Sequence, residues 1–61
     1  MKLQDYLKQN KIYVNAFAKQ LGVNRSAMYH WFRKRGYPSA SIAKKIIFMT
    51  NKAVTYEDLF E

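Results

Sequence analysis

Five polar side chains in the segment 24–30 have the types and spacing needed to hydrogen-bond to the edges of DNA bases. They are Asn24, Arg25, Ser26, Tyr29 and His30. Residues three and four apart share a helix face, so this set would form one polar surface if the segment is helical. The Arg25 guanidinium can donate two hydrogen bonds to O6 and N7 of guanine. We expect it to discriminate between bases by about 1–3 kcal/mol.

The other four side chains also have structural explanations. Asn24 and Ser26 can bond to bases or phosphates, but either can cap a helix, and for Asn24 capping is favoured. The Tyr29 ring suits a thymine methyl and its hydroxyl a phosphate, whereas a half-buried surface aromatic is an equal alternative. His30 is the only histidine. A metal site is therefore not expected, and DNA contact and plain exposure to solvent stay open for it.

Basic and polar residues on both sides of this set are candidate partners for DNA phosphates. Arg33, Lys34 and Arg35 form a run that follows it after Trp31 and Phe32. Such a run can be a solvated face that complements a helix dipole, but phosphate binding is favoured here. Asn15 and Lys19 lie in the preceding segment, where a helix begins, and they are plausible phosphate partners for the same reason.

The charge distribution indicates a polyanionic partner. The 61 residues include 11 Lys and Arg against 4 Asp and Glu, which gives a net charge of +7. Every cation lies in residues 1–52, whereas Glu57, Asp58 and Glu61 lie together at the other end. A small basic domain is typical of proteins that bind nucleic acid, and an anionic membrane surface is the second candidate.

Several function classes have little support in the composition. The chain has no cysteine, so neither a disulfide nor a thiolate metal site is expected, which fits a reducing cytoplasm. Carboxylates are few and nothing pairs with His30 as nucleophile or base. We therefore expect no enzymatic activity, no cofactor and no small-molecule substrate. No apolar stretch approaches the roughly 20 residues that span a bilayer, and no signal-peptide pattern is seen, so a soluble, unexported protein is expected.

A single domain over residues 1–61 is predicted to position the polar set on the third of five helices. The first helix should end near Asn10, and a buried connection at 12–14 should lead into a second helix that includes 16–21. Gly22 supplies the positive φ at which that helix can stop. The third helix should then run from about Asn24 to Lys34.

Small and apolar residues at fixed spacing predict that the second and third helices cross at close range. Ala18 must be small because helix three passes over it, while Val23, Met28 and Trp31 fill the shared core. For Phe32, which follows Trp31, a position in this core is left open. This packing would leave the polar set uncovered, and a major groove about 12 Å wide admits one α-helix.

The C-terminal half is predicted to be helical, with a β-hairpin as the alternative. Ser39 or Ser41 can cap a fourth helix that ends near Asn51. Thr55 and Asp58 form a weakened capping box for a short fifth helix. The inner face of the fourth helix should carry Ile42, Ala43, Ile46, Ile47 and Thr50. Leu59 and Phe60 are the apolar positions of the fifth helix. Alternatively, 46–49 and 54–56 could be two strands joined by a turn, although this turn lacks glycine.

The run Phe17–Met28 resembles the helix-turn-helix of the phage Cro and repressor family. Pro38-Ser39, Thr50-Asn51 and Val54–Leu59 also resemble its all-helical members, so the similarity covers most of the chain. The resemblance implies a compact five-helix, all-α Cro/repressor-like domain. It implies a transcriptional regulator in a bacterial cytoplasm, such as a repressor, that binds a pseudo-palindromic operator in double-stranded DNA as a homodimer. Other members carry a C-terminal β-hairpin, and this chain departs from the family in a bulkier, more aromatic third helix.

Apolar residues and the small size bear on partners. A chain of this length has a marginal core, so a weak dimer is a plausible reinforcement. Phe48, Met49, Tyr56 and Phe60 could form a subunit interface, with ordinary core packing as an equal alternative. Two rival functions are an antitoxin-type module that binds a protein through the acidic residues 57–61, and a cationic membrane-active helical peptide.

Overall fold

The computed structural model describes residues 1–60, and this range contains five α-helices and no strand. The all-α, five-helix prediction is confirmed. The hairpin alternative is wrong, because residues 46–49 continue the fourth helix instead of forming a strand. The helices are α1 (Leu3–Gln9), α2 (Val14–Leu21), α3 (Arg25–Phe32), α4 (Ala40–Met49) and α5 (Tyr56–Phe60).

The connection between α1 and α2 is only partly buried. α1 ends as predicted, with Asn10 as its C-cap. Ile12 is half-buried, but Tyr13 is 83% exposed, so the prediction of a buried connection is wrong for Tyr13. The physical reason is local: α2 begins at Val14, and Tyr13 has extended backbone angles at the N-cap. Successive side chains of an extended segment point in opposite directions, so when Ile12 faces the core Tyr13 faces outward.

Gly22 ends α2 in the left-handed conformation predicted for it, with φ of 82°. The N–H groups of Gly22 and Val23 both donate to the carbonyl of Ala18, at 2.9 and 3.0 Å. These bonds satisfy carbonyl groups that the end of a helix would otherwise leave unpaired. Ala18 is 2% exposed, and α2 packs against α3, as the helix-turn-helix prediction requires.

The third helix is shorter than predicted at its C-terminal end. It stops at Phe32 with Arg33 as C-cap, and Lys34 takes a positive φ of 60°. The N–H of Arg35 donates to the carbonyl of His30 at 2.8 Å and closes the end of the helix. Lys34 therefore occupies the left-handed position that glycine usually takes just after a helix. At the other end, Asn24 is the N-cap residue, but its side chain makes no capping hydrogen bond.

Side-chain hydroxyls define both ends of α4. Of the two candidate caps, Ser39 is the one used: its Oγ accepts from the Ile42 N–H at 3.4 Å. α4 ends at Met49, two residues before the predicted Asn51. Thr50 follows and is 1% exposed. Its Oγ1 donates to the Ile46 carbonyl at 2.8 Å and accepts from the Val54 N–H at 3.3 Å.

The predicted capping box begins α5. Asp58 Oδ2 accepts from the Thr55 N–H at 3.0 Å, and Thr55 Oγ1 accepts from the Asp58 N–H at 3.3 Å. The same carboxylate oxygen accepts from the amino group of Met1 at 2.8 Å. The hydrogen bond from this amine and the one from the Thr55 N–H lower the pKa of Asp58 from 3.8 to about 2.

One apolar core joins the five helices. α2 packs on α3 and on α4, and α4 packs on α5. Of the predicted core residues, Ala18 and Met28 are buried, whereas Val23 and Trp31 are half-buried and pack against the core from its edge. No helix formed by residues 1–60 is long and apolar enough to cross a membrane. The buried apolar side chains are Leu3, Leu7, Phe17, Ala18, Leu21, Met28, Ala43, Ile46, Val54 and Leu59.

Candidate nucleic-acid interface

One side of α3 is buried and the opposite side is open to solvent. Met28 is fully buried, and it fixes which face of the helix points inward. The four predicted base-contacting residues of α3 and the preceding Asn24 are all exposed. Because α2 covers only the inner side of α3, these polar side chains remain accessible along the length of the helix. The exposed residues are Asn24, Arg25, Ser26, Tyr29 and His30.

Tyr29 is the central residue of this face because it lines two neighbouring shallow concavities. The first is also lined by Ser26, His30 and Arg33. The second lies towards the start of α2, and Arg25 is one of its lining residues. The Tyr29 ring packs edge-on against Phe32, with centroids 5.8 Å apart and an interplanar angle of 90°. Tyr29 is nevertheless 42% exposed.

The predicted phosphate partners divide into three groups. Asn15 lines the second concavity with Arg25, and Arg33 lines the first. Lys19 and Arg35 are exposed but line neither. Lys34 lies apart, in a cleft that it shares with residues of α1 and α5, including Asp58. The backbone reverses at Lys34 after α3 ends, so the three residues of the basic run do not point at one surface.

In the described part of the chain, no acidic side chain forms an ion pair with the basic side chains of this face. Between residues 6 and 56 the sequence contains no Asp or Glu. Within residues 1–60, the ion pair found joins the amino group of Met1 to Asp58 and involves no Lys or Arg side chain. The uncompensated cations therefore generate a positive potential that attracts polyanions.

Tyr13 is a residue of this face that the sequence analysis missed. It lines the concavity that contains Asn15, Arg25 and Tyr29. Its place inside the apolar tripeptide Ile12-Tyr13-Val14 favoured burial. The signal that could have indicated exposure is its position just before the first turn of α2, where a side chain lies outside the packed face of the helix.

A second exposed region is apolar and involves the predicted subunit-interface residues. Phe48 is 85% exposed, and with the half-buried Met49 it lines a shallow depression beside Lys44 and Lys45. Core packing is therefore not the explanation for Phe48. The other members form an aromatic group at the surface: the Phe60 ring lies 5.7 Å from the Tyr37 ring and 6.4 Å from the Tyr56 ring.

The described part of the chain holds no cluster of metal-ligand side chains. Among residues 1–60, no three His, Asp or Glu residues are grouped as ligands of one ion.

Comparison of the chain with protein-family models, with curated proteins and with solved structures finds no match.

Proposed function

We propose that this protein is a sequence-specific double-stranded DNA-binding transcriptional regulator similar to the Cro and repressor proteins of phages. In this proposal α3 enters the major groove of the operator. α2 lies across the entrance of the groove and contacts the phosphate backbone. This is the arrangement that two helices joined by a tight turn adopt in helix-turn-helix proteins.

The observation that carries the proposal is the uncovered polar face of α3 beside the Gly22 turn. A helix of a small domain usually places its polar side in water without further purpose, so exposure alone would not support a function. Here the exposed side chains are hydrogen-bonding residues, and on both sides of them lie cations that form no ion pair with any residue the structure describes. This combination of a base-contacting set with a phosphate-contacting set is what duplex recognition requires.

The geometry supports different roles for the residues of this face. Arg25 would bind guanine, and Ser26 and His30 would contact neighbouring bases. Arg33 lines the same concavity as Ser26 and His30, where it can reach a flanking phosphate. Asn15 lies in the first turn of α2, whose free backbone N–H groups also favour an anion.

Lys19, Lys34 and Arg35 would contact phosphates farther along the duplex, and Asn24 would contact a base or phosphate. The absence of a capping hydrogen bond from the Asn24 side chain leaves its amide available for such a contact. The two lysines are single charges on flexible stems, so we assign them to affinity and not to sequence discrimination.

A second copy of the chain fits the proposal because a pseudo-palindromic operator needs two symmetric recognition helices. The exposed Phe48 and the aromatic group of Tyr37, Tyr56 and Phe60 provide apolar surface for such contacts. These patches are small for a stable interface, which normally buries about 1,200–2,000 Å² in total. We therefore expect the homodimer to be weak in solution and to form on DNA.

Selection of binding sites from random duplexes at fixed salt tests the proposal directly. The expected result is a conserved motif with two half-sites related by a dyad. Arg25→Ala should lose about 1–3 kcal/mol on the selected site and relax the base preference at one position in each half-site. A selection that yields no motif, or a motif that Arg25→Ala leaves unchanged, would contradict the assignment.

Two matched variants separate base contacts from phosphate contacts. Arg25→Lys keeps the charge but loses the two-pronged geometry, so it should relax the guanine preference while the dependence of affinity on salt stays the same. Arg33→Ala should instead weaken binding to all duplexes alike and lower the slope of log affinity against log salt by about one. If Arg33→Ala instead relaxed the base preference and Arg25→Lys changed the salt dependence, the proposed roles of the two arginines would be exchanged.

A second candidate function is a protein-binding module of the antitoxin type. The observation that favours it is the exposed aromatic group of Tyr37, Tyr56 and Phe60 beside the exposed acidic residue Glu57. Of the other two acidic residues invoked for this contact, Asp58 accepts hydrogen bonds from the Met1 amine and the Thr55 N–H, and Glu61 lies outside the described residues. This candidate predicts co-purification with a stoichiometric protein partner and DNA affinity that does not depend on sequence. A third, membrane-active function predicts leakage of anionic vesicles, which the main proposal does not.

A further inference from the structure

Arg25 shares its concavity with two tyrosine rings. Tyr29 lies one helical turn after Arg25 on α3, and Tyr13 lies just before α2; all three line the same depression. Tyr13 is 83% exposed and Tyr29 is 42% exposed, so both rings are accessible from outside. We call these three residues the aromatic notch.

Structural roles do not account for the two rings. The edge-on contact with Phe32 orients the Tyr29 ring, but it leaves much of the ring in water. Within residues 1–60 neither tyrosine hydroxyl takes part in a hydrogen bond. Exposed aromatic surface without a partner, placed beside a polar recognition residue, indicates contact with an apolar group of a ligand.

The major groove offers one apolar group to such rings, namely the methyl group on C5 of a pyrimidine. Thymine carries this methyl, and 5-methylcytosine carries it at the same position. One turn of α-helix rises about 5.4 Å, and successive base pairs are about 3.4 Å apart. When Arg25 binds a guanine, Tyr29 therefore lies within one to two base steps of it.

We propose that the aromatic notch recognises the C5 methyl group of a pyrimidine close to the guanine that Arg25 binds. The Tyr29 ring contacts the methyl group, and the Tyr13 ring closes the notch from the side of α2. This inference rests on the DNA recognition proposed above and adds a methyl-dependent specificity to it. A cytosine at this position is bound well only when it is methylated.

The test measures affinity for the selected operator after changes that alter a single methyl group. Each thymine of a half-site is replaced in turn by deoxyuridine, which removes only the methyl. The thymine close to the Arg25-bound guanine is also replaced by cytosine and by 5-methylcytosine. We expect deoxyuridine to weaken binding about fourfold at one position, the effect of losing one methyl from an apolar contact. We expect duplexes with 5-methylcytosine to bind more tightly than those with cytosine by a similar factor. Together, the deoxyuridine and 5-methylcytosine substitutions show whether one or both of the methylated pyrimidines are accepted.

Variants of the notch separate the ring from the hydroxyl. Tyr29→Phe should keep the thymine-to-deoxyuridine ratio, whereas Tyr29→Ala should reduce it to one. Tyr13→Ala should reduce the ratio partly, and because Tyr13 is so exposed this variant serves if Tyr29→Ala fails to fold. His30→Ala is the matched control, since His30 lies on the same face but outside the notch. It should weaken binding to the thymine and deoxyuridine duplexes alike and so leave their ratio unchanged.

The outcomes distinguish this inference from the proposed function. An operator that is bound specifically but tolerates deoxyuridine at every thymine overturns the methyl inference and leaves DNA recognition intact. The methyl inference is also overturned if Tyr29→Phe loses the ratio, since the hydroxyl and not the ring would then be responsible. Failure to bind any duplex specifically overturns both.

Discussion

The turn between α2 and α3 and the turn between α4 and α5 redirect the chain by different means. In the first turn, the N–H groups of Gly22 and Val23 return to the Ala18 carbonyl, and only glycine adopts the positive φ. In the second turn, Asn51 and Lys52 both adopt positive φ, at 54° and 67°. There a buried threonine hydroxyl, that of Thr50, ties the end of α4 to Val54.

The difference shows what holds the backbone of the turn in each half of the molecule. Glycine makes the α2–α3 turn without strain, so this turn needs no side-chain hydrogen bond to hold it. The buried Met28 then fixes which face of α3 points inward. The α4–α5 turn places Lys52 in the left-handed region, where a lysine is strained, and it depends on the Thr50 side chain for compensation. The first half presents hydrogen-bonding groups together with the aromatic notch to solvent, whereas the second half presents Phe48 and the aromatic group of Tyr37, Tyr56 and Phe60.

The largest effect should come from the core that both turns share. Ile46 is fully buried in α4, and Ile46→Ala should lower the free energy of unfolding by about 2–5 kcal/mol through loss of buried surface and a cavity. Helix circular dichroism reports on all five helices, and the fluorescence of the single tryptophan, Trp31, reports on α3. The two denaturation curves should shift together. Curves that separate would show that the two halves unfold independently. As a control, Ile47→Ala at a half-buried site should lower the free energy of unfolding by less than Ile46→Ala does.

The second prediction concerns the side chain that holds the α4–α5 turn. Thr50→Val keeps the shape but removes the acceptor of the buried Val54 N–H. An unsatisfied buried donor costs about 1–3 kcal/mol, so urea denaturation should show a loss of this size. Thr50→Ser retains the hydroxyl and should retain the hydrogen bonds, although it loses a methyl. Equal stability of the valine variant and the wild type would refute the role given to the hydroxyl.

The third prediction exchanges the backbone chemistry of the two turns. Gly22→Ala should cost about 1–2 kcal/mol, the penalty of the left-handed conformation for a side chain. No atom lies within 4 Å of the added Cβ, so the loss would come from the backbone angle and not from a clash. Lys52→Gly should stabilise the protein by about 0.5–1 kcal/mol, because the removal of strain outweighs the entropic cost of glycine. Shifts of the same sign for both variants in thermal denaturation would contradict the comparison.

The smallest effect is a dependence of stability on pH that arises at the start of α5. The pKa of Asp58 is lowered to about 2 by its hydrogen bonds with the Met1 amine and the Thr55 N–H. A carboxyl with a lowered pKa contributes stability that is present above its ordinary value of 3.8 and is lost as the pH falls towards 2. Asp58→Asn should flatten this part of the stability profile. A variant that kept the full acid dependence would assign it to other groups.

Features with a local chemical cause could be predicted from the sequence. The Gly22 turn, the Ser39 cap and the box of Thr55 and Asp58 each follow from a residue type that suits one backbone position. The hydrophobic spacing predicted the burial of Ala18 and Met28 in the same way. All ten residues that are predicted to contact DNA are exposed. Their exposure is observed, whereas their contact with DNA is a proposal.

Features that depend on an unfavourable local choice could not be predicted. Lysine is not a residue that usually ends a helix with positive φ, so no residue type indicated a stop at Phe32, and Lys34 was predicted to lie inside α3. The same helix end separates the members of the basic run, all of which are predicted to contact phosphates, because Lys34 lies beside α1 and α5. The exposure of Tyr13 depends on the residue at which α2 begins, and helix boundaries are not sharply encoded.

Among the described residues 1–60 no Lys or Arg side chain forms an ion pair, and this has a consequence for the free protein. Like charges gathered on a small folded domain repel one another more strongly than they do in an extended chain. A ligand that binds only the folded form adds stability through mass action. Binding of a polyanion would therefore relieve this mutual repulsion and raise the melting temperature of the folded domain.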